Sequence, residues 1–515
     1  MKYHSKQTAK MRVPRSRSFE GVFGRLFRNL QPFAPFSTDE KNEAFFEAVA
    51  KTMTDDPGTN SAGDNTTIPS GYTFFGQFID HDITFDPTSS LSRQNDPDKL
   101  NNFRTPRFDL DSLYGSGPDI SPYLYDRDGL HLTIGHAVNG ECTGEDDLQR
   151  NTNDIAIIGD PRNDENVLVS QVHLMFIKFH NRIVDEVIDK LGYSESAIED
   201  NRQKIFETAQ CIARWHYQWV VINDFLKRIT MPDVYDELIP NKGKPDESRL
   251  RFYKPHCKPF MPIEFSAAAY RFGHSMIRPA YTLNDLTPEA KHGQPRTIPL
   301  FDNQVGSSDP LALGLGSSRQ LPSLWTLNWE YFLDIGAPTK TQHSRLIDTG
   351  LVPPLADLPE SVVAPMTGAI RSLAERNLVR GWRMSLPSGQ DVACAMGIKH
   401  NRILPQRKLD GKTKTDMPLW FYILEEAKKY GKGKTLGYVG SRIVAEVLIG
   451  LLFGDHMSYI NQNKTWTPDM PDQLVTIPTE EPGKLTLADI VKFSGVPIDR
   501  TPIDDFAAKL PKDNG

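Results

Sequence analysis

The sequence predicts a mainly α-helical protein with long irregular loops and little strand. Apolar residues recur at three- and four-residue steps in several long segments, which is helical periodicity. Period-two alternation, the mark of half-buried strands, is scarce. The stretches between the periodic segments are rich in Pro, Gly and Asp, which favour turns over regular elements.

In chain order, the N-terminal stretch is basic, carrying Lys2, Lys6, Lys10, Arg12, Arg15, Arg17, Arg25 and Arg28. No continuous apolar run follows, so the stretch lacks the pattern of a secretory signal and reads as a solvated arm over residues 1–36. A cytoplasmic location, or export without a cleaved leader, is the expectation. Ser37-Thr38-Asp39-Glu40 reads as a capping box ahead of helical spacing at Phe45, Ala48, Val49 and Thr52. Further helices are expected over Ser170 to Leu191, Arg202 to Arg228, Ala364 to Val379 and Gly440 to Leu452. Pro365 is tolerable in the first turn of the third of these. Long loops are expected at Asn95 to Pro122, Asn241 to Pro262, Thr287 to Pro322 and Thr465 to Leu485. No compositional break divides residues 37–515, so they read as a single domain.

Composition excludes several classes of function. Hydrophobic residues make up 38% and charged residues 24% of the 515, too apolar for a disordered chain. A net charge of −7 gives no electrostatic case for nucleic acid. No run of about 18 apolar residues suits a membrane span. Cys142, Cys211, Cys257 and Cys394 are far apart and contain no CxxC pair, so reduced thiols are expected in place of a disulfide framework or zinc cluster.

Four segments carry candidate chemistry. In Gly71 to Thr84, a helix places Gln77, Asp80, His81 and Thr84 on one stripe of an otherwise apolar cylinder. Such a stripe faces either water or, on a buried helix, a polar cavity where a histidine beside a carboxylate can act as a general base. In Gly159 to Asn166, Arg162 sits in a charged turn, as a surface ion-pair partner or as a fixed cation that stabilises developing negative charge. In Ala269 to Arg278, a helix puts Arg271, His274 and Arg278 on one face. His274 there is a satisfied core residue or a ligand. Gly273 beside it leaves room for a flat cofactor, and arginines suit carboxylates such as haem propionates. In Thr105 to Gly115, oxygen-bearing side chains at Thr105, Asp109 and Asp111 fit either a solvated acidic loop or a wrapped hard cation.

Together, and in their order along the chain, the segments resemble the signature of the animal-type haem peroxidases, the peroxidase–cyclooxygenase superfamily. The likeness continues through Phe179-His180-Asn181-Arg182, Arg376-Asn377-Leu378 and Leu386-Pro387-Ser388-Gly389-Gln390, and covers most of the chain beyond about residue 65. It implies the animal haem peroxidase fold, a haem b derivative, ester-linked, and Ca2+. It places Gln77 and His81 at the peroxide site, Asp80 and Glu165 as ester partners of the haem, Arg162 as the distal arginine, Arg271 as a propionate partner and His274 as the iron ligand. Calcium ligands are then Asp82, Thr105, the Arg107 carbonyl, Asp109 and Asp111. The implied reaction reduces hydrogen peroxide and, through an oxoferryl intermediate, oxidises small donors such as bromide, iodide, thiocyanate or phenols.

This sequence departs from the family pattern at two places. The most strongly oxidising branch has a methionine–haem bond beside the ester Glu, and here that position is Asn166. The asparagine that supports the proximal histidine has no clear match, and Asp348, in Arg345-Leu346-Ile347-Asp348, is the candidate for that role. A second reading is a fatty-acid dioxygenase of the cyclooxygenase-like branch, whose chemistry uses a tyrosyl radical near the haem, with Tyr331 the tyrosine that stands near that place. The Tyr-His-Trp-His pattern of that branch is missing from Trp325 to Tyr331. A third is a haem-free scaffold, which would tolerate loss of His81, Arg162 or His274, yet all three are present.

Overall fold

The computed structural model describes residues 21–55, 63–138, 145–240, 243–255, 258–285, 297–301, 314–316, 319–322, 325–336, 340–360, 362–363, 369–471 and 473–499. Its longer helices are α1 (Asp39–Lys51), α2 (Gly71–Ile83), α3 (Val167–Leu191), α4 (Glu195–Val220), α5 (Leu373–Arg383), α6 (Leu419–Tyr430), α7 (Tyr438–Gly454) and α8 (Leu487–Ser494). Strand is confined to short pieces. Gly21–Gly24 pairs antiparallel with Asn101–Asn102 and parallel with Met261–Pro262. Three two-stranded pairs join Asp64–Pro69 to His343–Arg345, Ile134–His136 to Asp146–Leu148, and Ala280–Thr282 to Thr297–Pro299. The mainly helical expectation therefore holds. Among the described residues no helix is long and apolar enough to cross a membrane.

Helix ends follow capping chemistry. Asn166 caps α3, its Oδ1 accepting from Val169 N at 2.9 Å, so the helix starts three residues before the apolar spacing implies. Ser194 caps α4, which runs on through a π-helical turn at Val221–Phe225. The expected capping box at Ser37 shifts by one residue: Thr38 is the cap of α1, and its side chain accepts from Lys41 N. The helix expected from Ala364 to Val379 instead spans Leu373–Arg383. Ser372, accepting from Glu375 N at 3.3 Å, stops it extending backwards, and residues 364–368 lie outside the described set.

Around α2 the packing is nearly complete. Eleven of its thirteen residues are buried, and it contacts α3 and the 3-10 helix Ala269–Met276. α3 in turn packs on α4 and α8, and α6 on α7 and the same 3-10 helix. A helix buried on nearly all sides cannot turn its polar stripe to water. Gln77 and Asp80 are its two half-buried positions.

The arm expected over residues 1–36 is shorter than composition implies. Residues 21–36 pack on the domain, with Phe23 and Phe27 in the core and the Glu264 carboxylate accepting from Leu26 N and Phe27 N. The basic side chains concealed these anchors: Arg25 reaches out to Ser385 O at 3.0 Å while its neighbours point in. Residues 1–20 lie outside the described set. Cys211 and Cys394 are unbonded thiols, and Cys142 and Cys257 lie outside the described residues.

Candidate active site

A cavity of about 540 Å³ lies between α2, the turn before α3 and the 3-10 helix. Gln77, Asp80 and His81 line it from α2, Arg162, Glu165 and Asn166 from the turn, and Arg271, Gly273 and His274 from the 3-10 helix. The three candidate segments thus meet on one space. Leu300, Phe301, Leu355, Leu358, Pro359 and Val362 form an apolar flank of the wall.

On α2, His81 Nδ1 donates to Asn163 Oδ1 at 2.8 Å, and Asn163 Nδ2 donates to His173 Nδ1 at 2.9 Å. That chain fixes the His81 tautomer and leaves Nε2 with a lone pair, 3.8 Å from Glu165 Oε1. Burial, then the Arg162 charge, pulls the His81 pKa down to about 3, so the ring is neutral at ordinary pH. Gln77 Nε2 donates to Glu165 Oε1 at 2.5 Å, and Gln77 Oε1 accepts from Asn166 Nδ2 at 3.2 Å. Burial pushes Glu165 up to about 7 and raises Asp80 as well, whose Oδ1 accepts from Thr84 Oγ1 at 3.0 Å. Thr84, the fourth member of the expected stripe, thus turns back on Asp80.

In the turn before α3, Pro161–Asp164 forms a 3-10 helix capped by Asp160. Arg162 is anchored twice, Nη2 donating to Asp160 Oδ2 at 2.7 Å and to His81 O at 3.0 Å. Asp160 is fully buried, and although burial opposes its ionisation, the Arg162 and Arg104 guanidiniums hold it well below the usual carboxylate range. Arg162 is therefore a fixed cation beside the cavity, not a surface ion pair.

Opposite α2, the 3-10 geometry of Ala269–Met276 matters. With three residues per turn, Arg271 and His274 eclipse one another and share a face. Arg278 lies beyond the end of the helix and leaves that face: its Nη1 donates to Asp64 Oδ2 at 2.7 Å and to His343 O at 2.8 Å. A Cβ built on Gly273 would meet no atom within 4 Å, so this side of the cavity is open where a flat group would lie. Burial, then Arg271, pulls His274 down to about 3.

Asp348 does not support His274, contrary to the sequence expectation. Its carboxylate accepts from Gly350 N at 2.8 Å, and the residue is not part of the cavity wall. Asn377, on α5, takes that place, its side-chain amide 2.8 Å from His274 Nδ1 and its Oδ1 accepting from Arg271 Nη1 at 3.1 Å. Asn377 lies in a segment the resemblance covered, but it is 103 positions from His274, and no local pattern pairs the two. Asn163 and His173 were also missed, because neither side chain carries a reaction on its own. Tyr331, the tyrosine considered for a dioxygenase, is absent from the cavity wall and donates to Asp285 Oδ1 at 2.6 Å.

Behind α2, one carboxylate oxygen from each of Asp82, Asp109 and Asp111 lies within 4.8 Å of the others. Asp82 is fully buried, and neither of its oxygens meets a hydrogen-bond donor among the described residues. An orphaned buried carboxylate is costly unless a cation completes it. Thr105 joins the group, its Oγ1 donating to Asp109 Oδ2 at 2.6 Å, while Arg107 sits in the same loop, its N–H bonded to Thr105 O at 2.8 Å. Leu110 takes φ 56° and ψ 36° between the two loop aspartates, a left-handed conformation that costs a residue with a β-carbon about 1–2 kcal/mol. All-oxygen donors around a buried carboxylate suit a hard divalent cation.

Residues 90–321 match the family model described as animal haem peroxidase. That range contains the Arg162, His274 and Asp109 segments but not α2. Thyroid peroxidase of Mus musculus is 25% identical over 252 residues, 44% of this chain and 25% of that protein. Chorion peroxidase of Aedes aegypti is 28% identical over 119 residues, 23% of this chain and 14% of that protein. This chain therefore spans a quarter or less of the length of these relatives. Among solved structures, peroxidase A from Dictyostelium discoideum aligns over 94% of each chain with a TM-score of 0.58 and 14% identity. The fatty acid alpha-dioxygenase of Arabidopsis thaliana aligns over 94% of this chain and 82% of its own with a TM-score of 0.57 and 17% identity. At such identities the structural likeness establishes the fold alone.

Proposed function

Because this chain belongs to the animal haem peroxidase superfamily, we propose that it is a haem-dependent peroxidase that reduces hydrogen peroxide and oxidises small donors such as bromide, iodide, thiocyanate or phenols. The observation that carries this reading is one cavity lined by two histidines that burial holds neutral, each with an arginine beside it. Haem, when bound there, supplies the iron at which peroxide is reduced and the oxidising equivalents that donors take up.

In this reading His274 holds the iron through Nε2. That requires Nδ1 to carry the proton and the Asn377 amide oxygen to face it, which sharpens the ligand's basicity. Arg271, now bonded to that oxygen, would then be free to pair with a haem propionate. Across the cavity, His81 takes a proton from the bound peroxide oxygen at Nε2 and returns it to the departing one. Arg162, held by Asp160, stabilises the negative charge that develops between them. Gln77 orients the Glu165 carboxyl, and Glu165 and Asp80 stand as ester partners for haem methyl groups. Asn166 caps α3 and bonds to Gln77, and it has no thioether to offer the haem, so chloride is not among the proposed donors.

The discriminating experiment measures peroxide-dependent oxidation of a phenol and oxygen uptake with an unsaturated fatty acid on the same haem-loaded sample. The peroxidase reading expects the first without the second. Fatty-acid-dependent oxygen uptake that outpaces phenol oxidation would replace it with the dioxygenase reading.

Calcium on Asp82, Thr105, the Arg107 carbonyl, Asp109 and Asp111 is part of the proposal. Burial, then the neighbouring carboxylates, raises Asp82 well above the usual range, and burial pushes Asp111 up to about 7. An unfolded aspartate titrates near about 3.9. At these two carboxyls the metal-free folded protein therefore holds more protons than the unfolded chain between about pH 4 and pH 7, and the stability they contribute falls as pH rises through that window. Calcium needs the ionised carboxylates, so its contribution grows over the same range. Expected in thermal unfolding: added calcium raises Tm more at about pH 8 than at about pH 5. A calcium-independent Tm at both pH values removes the site.

A further inference from the structure

Buried side chains run in an unbroken line from the cation loop to the cavity wall. Arg104 is at the centre: Nη1 donates to Asp111 Oδ1 at 3.1 Å, Nε to Asp160 Oδ2 at 2.8 Å and Nη2 to Gly159 O at 2.9 Å. The Asp160 carboxylate also takes Arg162, through Nη2 at 2.7 Å and Nε at 3.1 Å, and its Oδ1 accepts the Arg162 backbone N–H at 2.9 Å. Arg162 then reaches His81 O at 3.0 Å. Asp111 is shared between the orphaned Asp82 group and Arg104, and Asp160 between Arg104 and Arg162.

Sharing has a mechanical consequence. A guanidinium is a rigid planar fork with donors in fixed directions, so Arg104 cannot turn relative to one carboxylate without turning relative to the other. A divalent cation among Asp82, Asp109 and Asp111 draws on the Asp111 charge that Arg104 otherwise holds, and it repels the guanidinium. Arg104 then leans further on Asp160, and the grip of Asp160 on Arg162 changes with it. Away from solvent these charges are weakly screened.

We infer that Arg104 and Asp160 are positioning residues that carry the state of the cation loop to the Arg162 guanidinium. The inference rests on the calcium part of the proposed function and not on haem. It is a separate route from the one through Asp82, which adjoins His81 in the chain and needs neither Arg104 nor Asp160.

Amide hydrogen exchange on the full chain, with calcium and with chelator, tests it. The Arg162 amide is bonded to the Asp160 carboxylate, so its protection reports that group directly. In wild type, chelation is expected to speed its exchange at least about 5-fold, the lower end of ordinary coupling between sites. In Arg104→Met, and in the milder Arg104→Lys, which keeps a cation but loses the fork, the change is expected to fall below about 2-fold. Calcium should still bind both variants by titration calorimetry, and the amides from Asp82 to Thr84 should still respond. An Arg162 amide that responds equally in all three proteins, or not at all in wild type, overturns the inference, as does a wild type that binds no calcium. The readout needs no haem, so a failure of the peroxidase assignment and a failure of this coupling are told apart.

Discussion

Replacing His81 with Ala is expected to slow peroxide cleavage by about 10²–10⁴-fold while haem stays bound, the usual contribution of a positioned general acid–base group. That factor corresponds to roughly 3–5 kcal/mol of transition-state stabilisation. The expectation follows from three features. The ring is neutral, so it can accept a proton. Asn163, itself oriented by His173, ties down Nδ1 and so leaves Nε2 as the basic atom. Arg162 lies beside it, so charge left on the departing oxygen meets a cation at once. Stopped-flow absorbance after mixing with peroxide measures the step, and the intensity of the resting haem spectrum measures retention. A rate within a few-fold of wild type would assign the proton transfer elsewhere.

The second large effect concerns the tether. After treatment with peroxide, wild type is expected to keep most of its haem through acid–butanone extraction, while the Asp80→Val, Glu165→Val double variant releases it all. Both carboxyls line the cavity, and burial raises both, so neither gains from standing free in it. Forming either ester removes two hydrogens, one from the carboxyl group and one from the methyl carbon, which peroxide accepts as water. Freshly purified protein is therefore expected to be a mixture, and the treated sample is the one to extract. Each single variant should weaken retention in part. If wild type gives up all its haem unmodified after turnover, Asp80 and Glu165 are ordinary hydrogen-bonding groups.

Much of this site was legible in the sequence because local spacing encodes it. Gln77, Asp80 and His81 sit one turn apart on α2, and the phenylalanines around them force that stripe into a cavity. Arg271 and His274 share a face in either helical form. What spacing could not encode is contact across the chain. Asn377 meets His274 from α5, 103 positions away, and no local spacing distinguishes it from Asp348. No spacing marks Arg104 and Asp160, 56 positions apart, as partners, yet both are nearly or fully buried, at 11% and 0% side-chain exposure, because each satisfies the other. The start of α5 was legible and was missed. Ser372 and Glu375 form a cap signal, but the apolar residues upstream drew the helix back to Ala364. The shortened arm has the opposite cause, since Arg25 between Phe23 and Phe27, with Arg28 just after them, hid two core anchors.

The most direct test of the account is the absorption spectrum of the haem-loaded protein beside that of His274→Ala. The account predicts a high-spin, histidine-ligated ferric spectrum in wild type. It predicts loss of that spectrum in the variant, with recovery when imidazole is added to fill the space the side chain leaves. A wild type that binds no haem, or a variant whose spectrum is unchanged, contradicts it.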